Sequence, residues 1–163
     1  APMVGISEEA YPLLESFGFQ YSSSIYAPAG TLLKKGSMWE IPVSTWRTRD
    51  AHENFVAPRD FSFKLLLGGE FPYGSSFSIG LMARRILSII EEELKRGHSP
   101  VIIMHPYELV TPPSSSRLTR DLIRNPHLIP FLWDKSPFLR DLLKSFPTSS
   151  LKSYLDETIA VKG

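Results

Sequence analysis

Pro100-Val101-Ile102-Ile103-Met104-His105-Pro106-Tyr107-Glu108 is the stretch from which the architecture is read. Its first half is short and wholly apolar, the signature of a strand buried on both faces in a parallel sheet flanked by helices. The clearest helix of the chain runs just before it, from Ser78 to Arg96. Ser78 is its cap, Met82, Ile86, Ile89, Ile90 and Leu94 are its apolar face, and Gly97 ends it. Glu91, Glu92, Glu93, Lys95 and Arg96 make the solvated face. A helix feeding a short buried strand predicts an α/β fold.

Further out, the pattern continues in short pieces. Ser7 to Gly18 reads as a helix with a serine cap, acids in its first turn and a glycine stop. Phe19–Tyr26 and Trp39–Trp46 read as strands, with Pro42 disfavouring a central ladder position in the second. Gly30 to Gly36 reads as a loop, and Phe61 to Leu67 as a further apolar run before a turn at Gly68-Gly69. Ser136-Pro137 opens a helix to about Phe146 in the preferred cap-then-proline order. A last helix around Leu151–Glu157 and a terminal strand at Thr158–Val161 complete the expectation. No repeat or linker divides residues 1–163, which read as a single domain.

Composition narrows the function classes. The chain has 163 residues, 42% hydrophobic, with Lys plus Arg 18 against Asp plus Glu 17, so the net charge of +1 gives no footprint for nucleic acid. No apolar run reaches the ~18 residues of a transmembrane helix. The absence of cysteine excludes disulfides, thiolate nucleophiles and Cys-ligated metal sites. Neither an initiator Met nor a signal-peptide layout opens the chain, and the compartment is left open.

The chemistry concentrates where the apolar run ends. His105 is the first polar residue after it and is pinned by Pro106, the place in parallel α/β folds where sites are built. An imidazole there suits proton transfer or metal ligation, against the plainer alternative of a strand-end cap. His98 lies past a helix C-terminus, where a cation complements the dipole. His52 and His127 fall in loops, and no two histidines have the i, i+4 spacing of a helical metal pair. Glu40 and Asp50 are interleaved with Trp39 and Trp46, as a sugar pocket requires; equally, the tryptophans could fill a core while the acids face solvent. Ser76-Phe77-Ser78-Ile79-Gly80 misses a nucleophile elbow, and Gly68-Gly69 without a following lysine is no phosphate loop.

Taken in order, several segments resemble the C-terminal half of the polysaccharide deacetylase family, the NodB-homology domain of carbohydrate esterase family 4. Pro2 is similar to the proline of its Arg-x-Pro motif, with Ala1 where the arginine stands. Leu14–Ile25, through Gly18-Phe19-Gln20-Tyr21-Ser22-Ser23-Ser24, resembles its helix and Gly-Phe, Tyr-Asp-Ser-Ser segment, with Ser22 in place of Asp. Glu40-Ile41-Pro42-Val43-Ser44 resembles the Glu-x-Pro strand, and Gly68-Gly69-Glu70-Phe71 the Gly-Gly-Tyr-Phe turn. Ile103-Met104-His105-Pro106-Tyr107-Glu108-Leu109 resembles the Leu-x-His motif and is the most specific match. The likeness is clearest over residues 1–110.

The resemblance implies part of a distorted (β/α) barrel and removal of acetyl groups from N-acetylated polysaccharide or peptidoglycan. It implies a zinc-like divalent metal, an Asp base and His105 as general acid; Glu40, Trp46, Asp50 and Tyr107 are the residues read as sugar contacts. The family's metal motifs are missing: the sequence has no Asp-Asp strand and no His-x-x-x-His. The expectation is therefore an incomplete barrel, against ~250 residues for a whole one, binding no metal and inactive by itself. The alternative is a carbohydrate-binding or scaffold module without catalysis. Open sheet edges predict association with a second copy or a complementing chain.

Overall fold

The computed structural model describes residues 5–47, 70–73, 76–110 and 134–162. Helix α1 spans Ala10–Ser16, a little shorter than the expected Ser7–Gly18, and its cap position is Glu9 rather than Ser7. Gly18, at φ +81, adopts the left-handed conformation that closes the helix, and the Phe19 N–H returns to the Leu14 carbonyl at 3.1 Å.

Among the described residues six short strands follow: β1 Tyr21–Ser22, β2 Tyr26–Pro28, β3 Leu33–Lys35, β4 Met38–Glu40, β5 Val43–Arg47 and β6 Glu70–Pro72. They form two sheets of three, in the orders β1-β4-β3 and β2-β5-β6. The pairings β1·β4 and β2·β5 are parallel, whereas β3·β4 and β5·β6 are antiparallel. The expected single strand over Trp39–Trp46 is thus two strands in different sheets. Pro42 has no N–H for a ladder, and the break between β4 and β5 falls at Ile41-Pro42. The expected loop at Gly30–Gly36 contains β3.

Helix α2, Ser76–Lys95, follows the longest periodic segment but begins two residues before the expected cap, so Ser78 lies inside its first turn, and it ends at Lys95 rather than Arg96. It sets Ile86 and Ile90 into a core with Trp46, Tyr73, Phe138 and Leu142. Phe138 and Leu142 come from α3, Ser136–Ser145, whose cap position is Lys135 rather than the expected Ser136 and whose Pro137 occupies the first turn. Helix α4 runs unbroken over Leu151–Lys162, so the strand expected at Thr158–Val161 is helical. β-branched residues carry only a weak preference against helix, and the Thr158 hydroxyl is satisfied inside it by the Tyr154 carbonyl at 2.7 Å.

The strand expected at Pro100–Met104 does not form. The segment lies beside β5 and, among the described residues, is joined to it by hydrogen bonds at Ser44. The Ser44 N–H donates to the Val101 carbonyl, and the Ser44 hydroxyl accepts the Val101 N–H, each at 2.8 Å. The Ser44 carbonyl is already taken by the Tyr73 N–H at 2.9 Å, so β6 occupies the ladder that the segment would have continued. Nor is the segment buried on both faces: Val101 to Met104 are all half-buried. Mixed helices and sheets confirm the α/β class, and the described residues show no closed barrel.

Candidate functional site

The Pro100–Met104 segment runs into His105, whose backbone (φ −94, ψ 144) is extended while the next residues turn sharply. Pro106–Leu109 form one turn of 3₁₀ helix, with Pro106 at its first position, where a missing N–H costs nothing. The turn is held from within by Glu108. Its carboxylate Oε2 accepts the His105 N–H at 2.7 Å, and its own N–H donates to the His105 carbonyl at 2.9 Å. Both main-chain polar groups of His105 are therefore tied to one residue. His105 is half-buried as a residue, and its side chain also faces the Glu108 N–H in a capping box, so the strand-end cap weighed from the sequence is present as well.

Glu108 is itself 3% exposed, and a carboxylate so buried requires a partner. Lys135, 1% exposed, places its Nζ 3.3 Å from Glu108 Oε1. The two chains also join through backbone, since the Lys135 N–H donates to the Glu108 carbonyl at 3.1 Å. One residue further on, the Ser136 hydroxyl donates to the Leu109 carbonyl at 2.8 Å. The start of α3 thus clamps the histidine turn. Asp134, just outside, accepts the Ser136 N–H at 2.8 Å. Ser136, by its side chain and then its N–H, holds the Asp134 carboxyl below its usual range.

Beside Val101–Met104 lies a cavity of about 630 Å³. Its walls include Val43, Ile90, Leu94, Leu139, Leu142 and Phe146, and it is predominantly apolar. Met104 is its last wall residue on this segment, so His105 stands just beyond it.

The other sequence candidates are placed differently. Glu40 is completely buried on β4: Oε1 accepts the Ser24 N–H at 2.5 Å and Oε2 accepts the Tyr11 hydroxyl at 3.1 Å. Its carboxylate ties α1 and the Ser22-Ser23-Ser24 segment to β4. Trp46 is 3% exposed, with its ring stacked on Phe71 at 5.0 Å and 25°. Its indole Nε1 finds no hydrogen-bond acceptor among the described residues. Trp46 and Met104 share one hydrophobic cluster, so the indole lies behind the segment that carries His105. Neither Glu40 nor Trp46 shows a face to a sugar. Asp50 lies outside the described residues, as do His52 and His127; Tyr107 belongs to the 3₁₀ turn through its backbone. His98 is structural: its Nδ1 is 2.9 Å from Glu93 Oε2, and its ring packs on Gly30, where a Cβ would stand 2.9 Å from it.

Glu108 was overlooked as a site residue although its signal was present: an acid three residues after an N-cap position is the spacing of a capping box. Lys135 had no such signal. Among the described residues no three His, Asp or Glu side chains converge on a point that could hold a metal ion. Comparison with protein-family models, with curated proteins and with solved structures finds no match to this chain.

Proposed function

We propose that this chain is the C-terminal portion of an N-deacetylase acting on N-acetylated polysaccharide or peptidoglycan, with His105 as the general acid. One observation supports the reading: the His105 backbone is gripped at both N–H and C=O, and the residue is only half-buried. That is the placement a proton donor needs, fixed in position yet within reach of substrate.

Amide hydrolysis supplies the reason for such a group. Water adds to the acetyl carbonyl carbon, and the resulting tetrahedral intermediate must expel an amine. An amide nitrogen leaves poorly as an anion, so the C–N bond breaks only as a proton reaches that nitrogen. The His105 imidazole gives that proton, releasing the amino sugar and acetate. No residue of this chain is assigned to a metal or to the proton lost by water.

A second reading, a sugar-binding module without catalysis, draws on the lack of a metal-holding cluster among the described residues. His105→Ala in the protein of natural length separates the two, read by acetate release from N-acetylated chitooligosaccharide and by binding of the same oligomer. The deacetylase reading expects turnover to fall ~10²–10⁴-fold with binding retained. Binding without turnover in the unaltered protein favours the module, and unchanged turnover in the variant removes His105 from the chemistry.

A further inference from the structure

Glu108 and Lys135 present a physical puzzle whose solution extends the proposed role of His105 and rests on it. Two opposite charges are both almost fully removed from water, at 3% and 1% exposure. Their separation is 3.3 Å, and the Lys135 ammonium makes no aligned hydrogen bond among the described residues. A buried ion pair of that quality is a poor stabiliser: desolvation offsets the attraction, and well-packed apolar residues of similar volume commonly do as well or better. Stability alone does not account for the pair.

What the pair does account for is the histidine turn. An apolar residue at 108 could not accept the His105 N–H. A carboxylate can, with twice the strength of a neutral acceptor, provided something balances its charge inside the protein. Lys135 is that balance. It stands immediately before α3, whose Phe138 and Leu142 are anchored in the core. We propose that Glu108 and Lys135 are positioning residues for the general acid. Lysine offsets the carboxylate's charge, the carboxylate grips the main chain of His105, and the anchored helix thereby holds the turn that the imidazole caps.

Two double variants test this with the fold held constant. Glu108→Gln with Lys135→Met, the amide variant, keeps a side-chain oxygen for the His105 N–H without burying any charge. Glu108→Leu with Lys135→Met, the apolar variant, fills the same space and removes the acceptor. Each is examined by thermal unfolding, by NMR relaxation of the His105 ring carbons, and by acetate release from chitooligosaccharide. Expected are thermal midpoints at or above that of the unaltered protein in both. The His105 ring should be as ordered in the amide variant as in the unaltered protein, and mobile in the apolar variant. Turnover number should fall at least tenfold in the apolar variant relative to the amide variant, with KM unchanged. An equally ordered ring in both variants overturns the proposal. So does an apolar variant that fails to fold, since the pair would then be a folding requirement. If the unaltered protein releases no acetate, the deacetylase reading falls, while the ring comparison still decides whether this pair positions His105.

Discussion

Glu40 illustrates how one carboxylate can organise a fold from inside. Its two oxygens face two different segments, the Ser24 N–H and the Tyr11 hydroxyl, at zero exposure. Tyr11→Phe deletes only the hydroxyl and leaves the ring, so it should cost about 1.5–3 kcal/mol, the range for a hydrogen bond to a charged group. Urea denaturation measures it; a loss below about 0.5 kcal/mol, the level of a neutral surface change, would contradict the assignment. Tyr73 gives a second prediction. Burial foremost, then Glu93 and Glu92 against the opposing Arg96, pushes its phenol well above the usual 10.0. Burial raises Tyr26 too. A folded pKa above the unfolded one means stability that is complete below pH 10.0 and is lost as pH rises beyond it. Alkaline titration should therefore show phenolate absorbance of these two residues rising together with loss of circular dichroism. Phenolate formation by all 6 tyrosines in a folded protein would refute it. At this scale the sequence was only partly legible. His98 was readable from its place after a helix. Glu40 was not, because an acid among tryptophans looks the same whether its partners are sugar hydroxyls or a backbone N–H sixteen residues away.

At the scale of elements, the strongest periodic signals were the reliable ones. Helices α2 and α3 carry an apolar face, a proline or serine at the start and a polar flank, several cues that agree. Adjacent leucines on α3 make the point measurable. Leu142 is 6% exposed within the core and Leu143 is 55% exposed. Leu142→Ala should destabilise by about 2–5 kcal/mol through lost contacts and a cavity. Leu143→Ala should stay within roughly 0.5 kcal/mol. Thermal and urea unfolding compare them, and equal effects would mean the face of α3 is misassigned. Short apolar runs were less legible for a definite reason. Whether Pro100–Met104 becomes a strand depends on whether a neighbour's backbone groups are free. At β5 they are largely taken by β2 and β6, and the Val101 N–H goes to the Ser44 hydroxyl instead of a backbone carbonyl. That competition is tertiary, and no local propensity reveals it. Thr158–Val161 lost its strand character the same way, carried into α4 by the turns before it.

For the whole molecule, the α/β class was legible because helices alternate with short β-rich runs. The arrangement into two small sheets with mixed pairing was not, since it depends on where Pro42 interrupts one run and sends its halves apart. Among the described residues no helix is long and apolar enough to cross a membrane. The molecule's organisation converges on the turn at His105: β5 holds the segment before it, Glu108 grips its backbone, and α3 clamps the residues after it.

The central claim is that this held imidazole protonates a departing amine. A general acid matters in proportion to how badly the leaving group needs a proton, so the decisive measurement compares two substrates in His105→Ala and the unaltered protein at natural length. One is N-acetylated chitooligosaccharide, which must expel an amine; the other is 4-nitrophenyl acetate, whose phenolate leaves unaided. The prediction is a loss of ~10²–10⁴-fold in kcat on the amide, with the ester rate nearly unchanged. An equal loss on both substrates, or none on the amide, would contradict it.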